Sequence, residues 1–292
     1  MTEYRQIGRT MVRALDPRIT ALVRAERRRA EALSARLRPG SIAVVGPGPG
    51  VGRSTVAALV ASVLARHQGV GVLAVDTGRG GGLHGRLALR PGGSTQEVLA
   101  GLGLRGSTDG RRPSVGHRWL RERLALADRA MLLAGGPDDA EPPVTAAEYG
   151  AVSAALSRWF PVRVVDTPAL GDDPVVAAVL TRADRVVLVA GHDERGPGRL
   201  AECRSWIAPL LREPLDRIGV QVLVDREVRS AAAGGALPVE GAKRIGGMPT
   251  HVLPYDPALR APGALRWPDL AADTRRAVLE TVMQIVRDMR LR

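Results

Sequence analysis

The sequence predicts an α/β fold in which a mostly parallel sheet carries helices on both faces and is preceded by an N-terminal helix. Three observations predict it. Beyond Gly40 short apolar runs recur that are apolar throughout rather than alternating, as strands buried on both faces must be. Stretches of helical length separate most of these runs, which is the pattern of βα units. The first run passes straight into a glycine-rich turn and then a helix, a junction at which ligands of such sheets bind.

The elements follow in order. Residues 17–38 carry Ile19, Leu22, Val23, Ala30, Leu33 and Leu37 at roughly helical spacing among many arginines, and Pro39-Gly40 stops them. The expected organisation is therefore a basic amphipathic extension over 1–38 and one larger domain over 39–292. The extension is expected to fold back on the core with a solvated outer face. Strands are expected at 41–46, 70–76, 130–134, 161–166, 185–190, 219–224 and 250–253. Helices are expected at 54–67, 94–102, 117–127, 145–159, 173–182, 196–211 and 270–290. The stretches 77–93, 103–116 and 226–248 are rich in glycine, arginine or alanine and read as loops. Over 273–292 the apolar face of Val278, Leu279, Val282, Met283, Ile285, Val286 and Met289 is wide enough for a final core helix rather than a membrane-seeking tail.

Composition narrows the function classes. The chain has 292 residues, of which 45% are apolar, so a sizeable core is affordable. Four Trp, three Tyr and one Phe leave that core to Ala, Val and Leu and make stacking platforms for single strands of nucleic acid a poor fit. The tryptophans, Trp119, Trp159, Trp206 and Trp267, read as core anchors. Cys203 stands alone and the five histidines show no metal-ligand spacing, which points to a reducing, cytoplasmic setting. The first residues contain no apolar targeting core, and the longest apolar stretch, 56–65, is about half a membrane span. The formal charge is +12, and Lys243 is the lone lysine among 42 basic residues. That skew toward arginine suggests a GC-rich coding bias and weakens the meaning of any single arginine. A positive field still favours anionic partners, DNA or acidic lipid among them.

The turn after the first strand reads "GPGPGVGRST", Gly46 to Thr55. A phosphate-cradling loop, G-x-x-x-x-G-K-[ST], uses glycines to aim backbone N–H groups at phosphate oxygens, a lysine to reach the terminal phosphates and a hydroxyl to meet Mg²⁺. Gly52, Ser54 and the helix opening at Thr55 fit this scheme. Pro47 replaces the first glycine and Arg53 the lysine; the planar guanidinium keeps the charge but is too bulky for an ammonium's niche. Pro49 removes a backbone donor. Two further strands end in carboxylates, Asp76 in "VLAVDTGRGGG" and Asp166 in "VRVVDTPAL". Such acids beside a phosphate loop are what Mg²⁺-water coordination and a hydrolysis-sensing switch need, though each alone could cap a turn.

Over residues 38 to 290 the chain resembles the MinD/ParA family of deviant Walker-A P-loop ATPases. "GPGPGVGRST" stands for the family's G-K-G-G-V-G-K-T-T, "VLAVD" for its second strand and "VVDTPA" for its hhhD-[ST]-P-A strand. "ADRVVLVAG" (183–191), "VLVDREVR" (222–229) and "LPYDP" (253–257) match its later strands in order. The resemblance implies ATP and Mg²⁺ as cofactors, a nucleotide-dependent homodimer and a protein partner, with action at membrane or nucleoid. It places Gly48, Gly50, Val51, Gly52, Arg53, Ser54, Thr55, Asp76 and Asp225 around the nucleotide, Asp225 near the base, and Ser54 and Asp166 on Mg²⁺.

The departures fall on chemistry. The family's signature lysine aligns with Gly48, its Walker lysine with Arg53, its second switch acid with Gly78, and its base-contacting Asn with Asp225. Losing one charge-stabilising group in phosphoryl transfer costs on the order of 10³–10⁵ in rate. The expectation is a degenerate, pseudo-ATPase member with little hydrolysis, serving as scaffold or regulator of a positioning, division or secretion machinery; the composition suits a high-GC actinobacterial source. Two alternatives stand beside it: an Mg-ATPase activated by a partner, and a nonspecific DNA-binding protein using Arg27–Arg29, Arg111–Arg112 and Arg275–Arg276.

Overall fold

The computed structural model describes residues 17–34, 37–68, 71–78, 82–87, 95–103, 116–127, 130–133, 144–171, 173–211, 217–226 and 243–289. In chain order its elements are α1 (Pro17–Leu33), β1 (Gly40–Val45), α2 (Arg53–His67), β2 (Val72–Asp76), α3 (Gly82–Leu87), α4 (Thr95–Gly101), α5 (His117–Arg123), β3 (Ala125–Ala127), β4 (Ala130–Leu133), α6 (Ala146–Ser157), β5 (Val162–Asp166), α7 (Pro174–Arg182), β6 (Arg185–Gly191), α8 (Gly196–Ile207), β7 (Ile218–Val224), β8 (Lys243–Ile245), β9 (Met248–Leu253), α9 (Pro257–Arg260) and α10 (Ala272–Val286).

The strands form one sheet in the order β3-β4-β2-β5-β1-β6-β7-β9-β8. Every pairing from β4 to β9 is parallel, and β3 and β8 add antiparallel edges. The α/β class read from the apolar runs is thus what the chain adopts. β1 lies at the centre and shows why its run is apolar throughout: Ile42 and Val44 enter one core, Ala43 and Val45 the other. The first core lies between the sheet and α2, α3 and α10; the second lies under α4 to α8. α2 is buried nearly all round, from Thr55 to Ala65 except Ser62, because α10 covers the side turned away from the sheet.

Three segments differ from the sequence reading. The helix expected over 117–127 stops at Arg123, and Ala125–Ala127 turns back along β4 as an edge strand. Alanine and leucine favour helix locally, but the open ladder of β4 offers them backbone partners. The loop expected over 226–248 contains β8, joined to β9 by Gly246 and Gly247, both with positive φ, as a two-residue hairpin turn requires. The loop expected over 77–93 contains α3. Arg111 and Arg112 lie outside the described residues.

α1 lies against α10. Leu33 is buried at its end, Arg29 meets Glu280 at 2.7 Å and Glu26 meets Arg275 at 3.1 Å. Arg24, Arg27 and Arg28 face solvent. α10 itself buries Val278, Leu279, Val282, Ile285 and Val286, so its apolar face is spent on the core. Trp119, Trp159, Trp206 and Trp267 are all partly buried against the cores. No helix among the described residues is long and apolar enough to cross a membrane.

His251, in β9, is 7% exposed and its Nε2 has no partner. Burial pulls its pKa below the ordinary 6.5, and Glu280 opposes this only in part. The fold therefore favours the neutral ring: its stability is whole above the unfolded ring's pKa and is lost as pH falls below that value. Denaturant melts at pH 7.5 and 5 should therefore show His251→Gln gaining stability relative to the wild type on acidification.

Candidate functional site

β2, β5 and β1 end side by side, and their register decides what meets there. Asp76, the last residue of β2, is paired with Asp166, the last of β5, and Asp166 in turn with Val44 of β1. Two carboxylates therefore sit in register beside the turn that leaves β1. Thr77 and Thr167 tie this corner together, their hydroxyls donating to the carbonyls of Asp166 and Val44 at 2.8 and 3.0 Å.

The two acids are equally buried but differently used. Asp76 is 2% exposed; one oxygen accepts from the Gly78 amide and the other from the Leu83 amide, each at 3.0 Å. Burial raises its pKa, and these amides oppose the rise. Asp166 is 3% exposed, and its Oδ1 accepts no hydrogen bond. Burial first, then the nearby charge of Asp76, push its carboxyl up to about 7, against the Ser54 hydroxyl bonded to it and the Arg53 charge.

The turn is built to open a helix. Gly50 and Gly52 have φ of +70° and +97°, a left-handed conformation that side chains resist, and at Gly52 a Cβ would also stand 3.1 Å from Val224. Gly52 is the N-cap of α2 and brings no capping side chain. The first intrahelical bond runs from Val56 to Gly52, so the amides of Arg53, Ser54 and Thr55 have no acceptor within the helix. Arg53 turns back to donate to the Gly46 carbonyl at 3.1 Å, while its buried Nε has no partner. Burial lowers its pKa, and Asp166 and Asp76 counter this.

These groups line an open cleft of about 760 Å³ whose walls include Arg53, Ser54, Asp76, Asp166, Thr145 and Asp173. Four of the described helices begin there, α2, α3, α6 and α7, and at α3 the Leu83 amide donates to Asp76. α6 closes its start with a capping box in which Thr145 accepts from the Glu148 amide and Glu148 from the Thr145 amide. α7 is capped by Asp173, which accepts from the Val175 amide. Among the described residues α2 alone of these starts has no capping side chain, and its first amides lack acceptors within the helix, the arrangement that receives an anion.

Of the expected set the cleft brings together Arg53, Ser54, Asp76 and Asp166, with Gly78 beside them, and not the rest. Val51, in the turn, and Thr55, in α2, are buried, and Gly48 is half-buried with open space where a Cβ would stand. Asp225 lies across the turn at the end of β7, where its Oδ1 is 3.1 Å from His192 Nδ1 at the end of β6. Arg226 joins that side to the turn by donating to the Gly50 carbonyl at 3.2 Å. The sequence reading missed Arg226, His192 as a partner of Asp225, and Gly82, where a Cβ would stand only 2.8 Å from Ser54 Oγ. A strand-end position was the one signal available for the first two; the third depends on tertiary approach.

An Mg-nucleotide fits these residues. The hydroxyl of Ser54 and the carboxylate of Asp166 are hard oxygen donors suited to Mg²⁺, and the orphaned Asp166 oxygen and Arg53 Nε are a buried acceptor and donor awaiting partners.

No protein-family model and no curated protein matches the sequence. Solved structures match in fold. A ParA family ATPase from Chlorobium tepidum TLS aligns with a TM-score of 0.62 at 14% identity, covering 84% of this chain and 99% of that one. MinD of Pyrococcus horikoshii OT3, complexed with Mg-ADP, aligns with a TM-score of 0.60 at 18% identity, covering 84% and 95%. The cell division ATPase MinD of Pyrococcus furiosus aligns with a TM-score of 0.57 at 19% identity, covering 85% and 99%. The chain has the fold of MinD/ParA P-loop ATPases, as the six sequence marks imply.

Proposed function

We propose that this protein is a MinD/ParA-like nucleotide-binding switch with little intrinsic hydrolysis, a pseudo-ATPase that acts as scaffold or regulator for a partner protein in positioning, division or secretion. The observation that carries the reading is the buried, unpartnered Asp166 oxygen beside Ser54 at the one uncapped helix start of the cleft. Phosphates would lie on the amides of the α2 start, with Arg53 as counter-charge; Ser54 and Asp166 would hold Mg²⁺, which supplies charge neutralisation at the terminal phosphates. The segments after Asp76 and Asp166 would read the state of those phosphates, and a nucleotide-dependent homodimer would be the output.

Three absences support weak hydrolysis: no lysine at 48 or 53, and no carboxylate at 78. A role in nonspecific DNA binding has less behind it. Four of the seven arginines offered as DNA contacts, Arg27, Arg29, Arg275 and Arg276, each have a carboxylate beside them, Glu31, Glu280, Glu26 and Asp273.

Thermal melts with graded Mg-ATP, Mg-ADP and Mg-GTP test the reading. A ligand at 100 times its Kd adds about 2.7 kcal/mol of stability; the expected result is a concentration-dependent rise in Tm for at least one nucleotide, absent in Ser54→Ala, with sedimentation showing dimer in the triphosphate state. A flat Tm at millimolar ligand contradicts it, and rapid turnover of the unassisted protein would favour a working ATPase instead.

A further inference from the structure

The start of α3 presses on the middle of the candidate site. Gly82 approaches Ser54 so closely that a Cβ there would stand 2.8 Å from Oγ and 3.4 Å from Ser54 Cβ. Asp76 fixes that approach, since one oxygen holds the Gly78 amide and the other the Leu83 amide, the second residue of α3. With both oxygens engaged, Asp76 is a positioning residue for α3, and Asp166 is left as the acid with a lone acceptor to offer.

The far end of α3 holds a different part of the chain. Arg86 Nη1 donates to the Ala261 carbonyl at 2.7 Å, and the Arg86 carbonyl accepts from the Leu265 amide at 2.9 Å. This bracket grips the stretch between α9 and α10. Beyond it, Asp256 accepts from the Ala258 and Ala271 amides, fixing the starts of both helices. Arg275 donates to the Leu270 carbonyl at 2.7 Å and meets Glu26 of α1 at 3.1 Å. A steric approach at Gly82, the hydrogen bonds of Arg86, Asp256 and Arg275, and the short lengths of chain between them thus connect Ser54 to the N-terminal helix.

We infer that α3 is a lever that couples occupancy of Ser54 to the 261–265 stretch, and through it to the seat of α1 on α10. The inference rests on the reading of Ser54 as a ligand of the bound cation. A cation held between Ser54 and Asp166 fixes the Ser54 side chain, so Gly82 rests on a rigid support and the Arg86 bracket tightens. A side chain at 82 does the reverse, forcing α3 away from Ser54 and opening the bracket without any ligand.

Hydrogen exchange of the Leu265 amide reads the bracket directly. Saturating Mg-ADP is expected to slow it by about threefold or more, and Gly82→Ala, free of ligand, to speed it by a similar factor. Arg86→Ala should change nucleotide affinity by only about the size of that coupling and lose the ligand's effect on the peptide spanning 261–267. If Mg-ADP binds and exchange at Leu265 is unchanged, the lever is wrong while the nucleotide reading stands. If no nucleotide binds, that reading fails, and the Gly82→Ala comparison still decides the lever: unchanged exchange at Leu265 overturns it.

Discussion

Asp166→Asn should make the nucleotide-free protein more stable, by at least about 1 kcal/mol at pH 7.5, while weakening Mg-nucleotide binding on the order of 10²-fold. The two effects share a cause. Burial and the neighbouring charge of Asp76 raise the Asp166 carboxyl from 3.8 to about 7. A carboxyl raised in this way contributes stability that is fully present below about pH 3.8 and is lost as pH rises toward 7. Asparagine, which never ionises, should match the wild type near pH 4, gain on it through pH 5 and 6, and hold a constant advantage above pH 7. Millimolar Mg²⁺ should remove most of that advantage by stabilising the wild type alone. Equilibrium denaturation across this range, with and without Mg²⁺, is the check. Equal stability of the two proteins at every pH would show that the acid is not held against its charge.

The second large effect concerns turnover. If hydrolysis is weak because charge-stabilising groups are missing, restoring them should raise it. Gly48→Lys, Arg53→Lys and Gly78→Asp together are expected to raise nucleotide hydrolysis on the order of 10³-fold, with binding little changed. The structure orders the contributions. Apart from its chain neighbours, no described atom lies within 4 Å of where a Cβ at Gly48 would stand, so a side chain can start there without a clash. At Gly78 a Cβ would stand 3.3 Å from Asp76 Oδ1, so an acid there is crowded and repelled. Arg53→Lys also releases the Gly46 carbonyl from the bond at 3.1 Å that now turns the guanidinium back. Phosphate release by single and combined variants measures the series; a wild type already as fast as the triple variant would mean that Arg53 does the lysine's work.

Much of this was legible in the chain because the signals are local. Ile42-Ala43-Val44-Val45 can be read as a doubly buried strand since every position must be apolar, and Asp76 and Asp166 stand out as acids closing such strands. Their being register partners was not legible, because it depends on β2 and β5 pairing across a long separation in sequence. The edge strands hid for different reasons. Ala125–Ala127 has the composition of a helix, whereas β8 was signposted by the glycines at 246 and 247 and was passed over in a stretch otherwise unlike a strand. The inward turn of Arg53, the orphaned oxygen of Asp166 and the approach of Gly82 to Ser54 are tertiary facts with no local signature.

The most direct test of the central claim is calorimetric titration of Mg-ATP and Mg-ADP into the purified protein and into Ser54→Ala and Asp166→Ala. The account predicts micromolar binding that depends on Mg²⁺ and is lost in both variants. No heat at millimolar nucleotide, or equal binding by all three proteins, would contradict it.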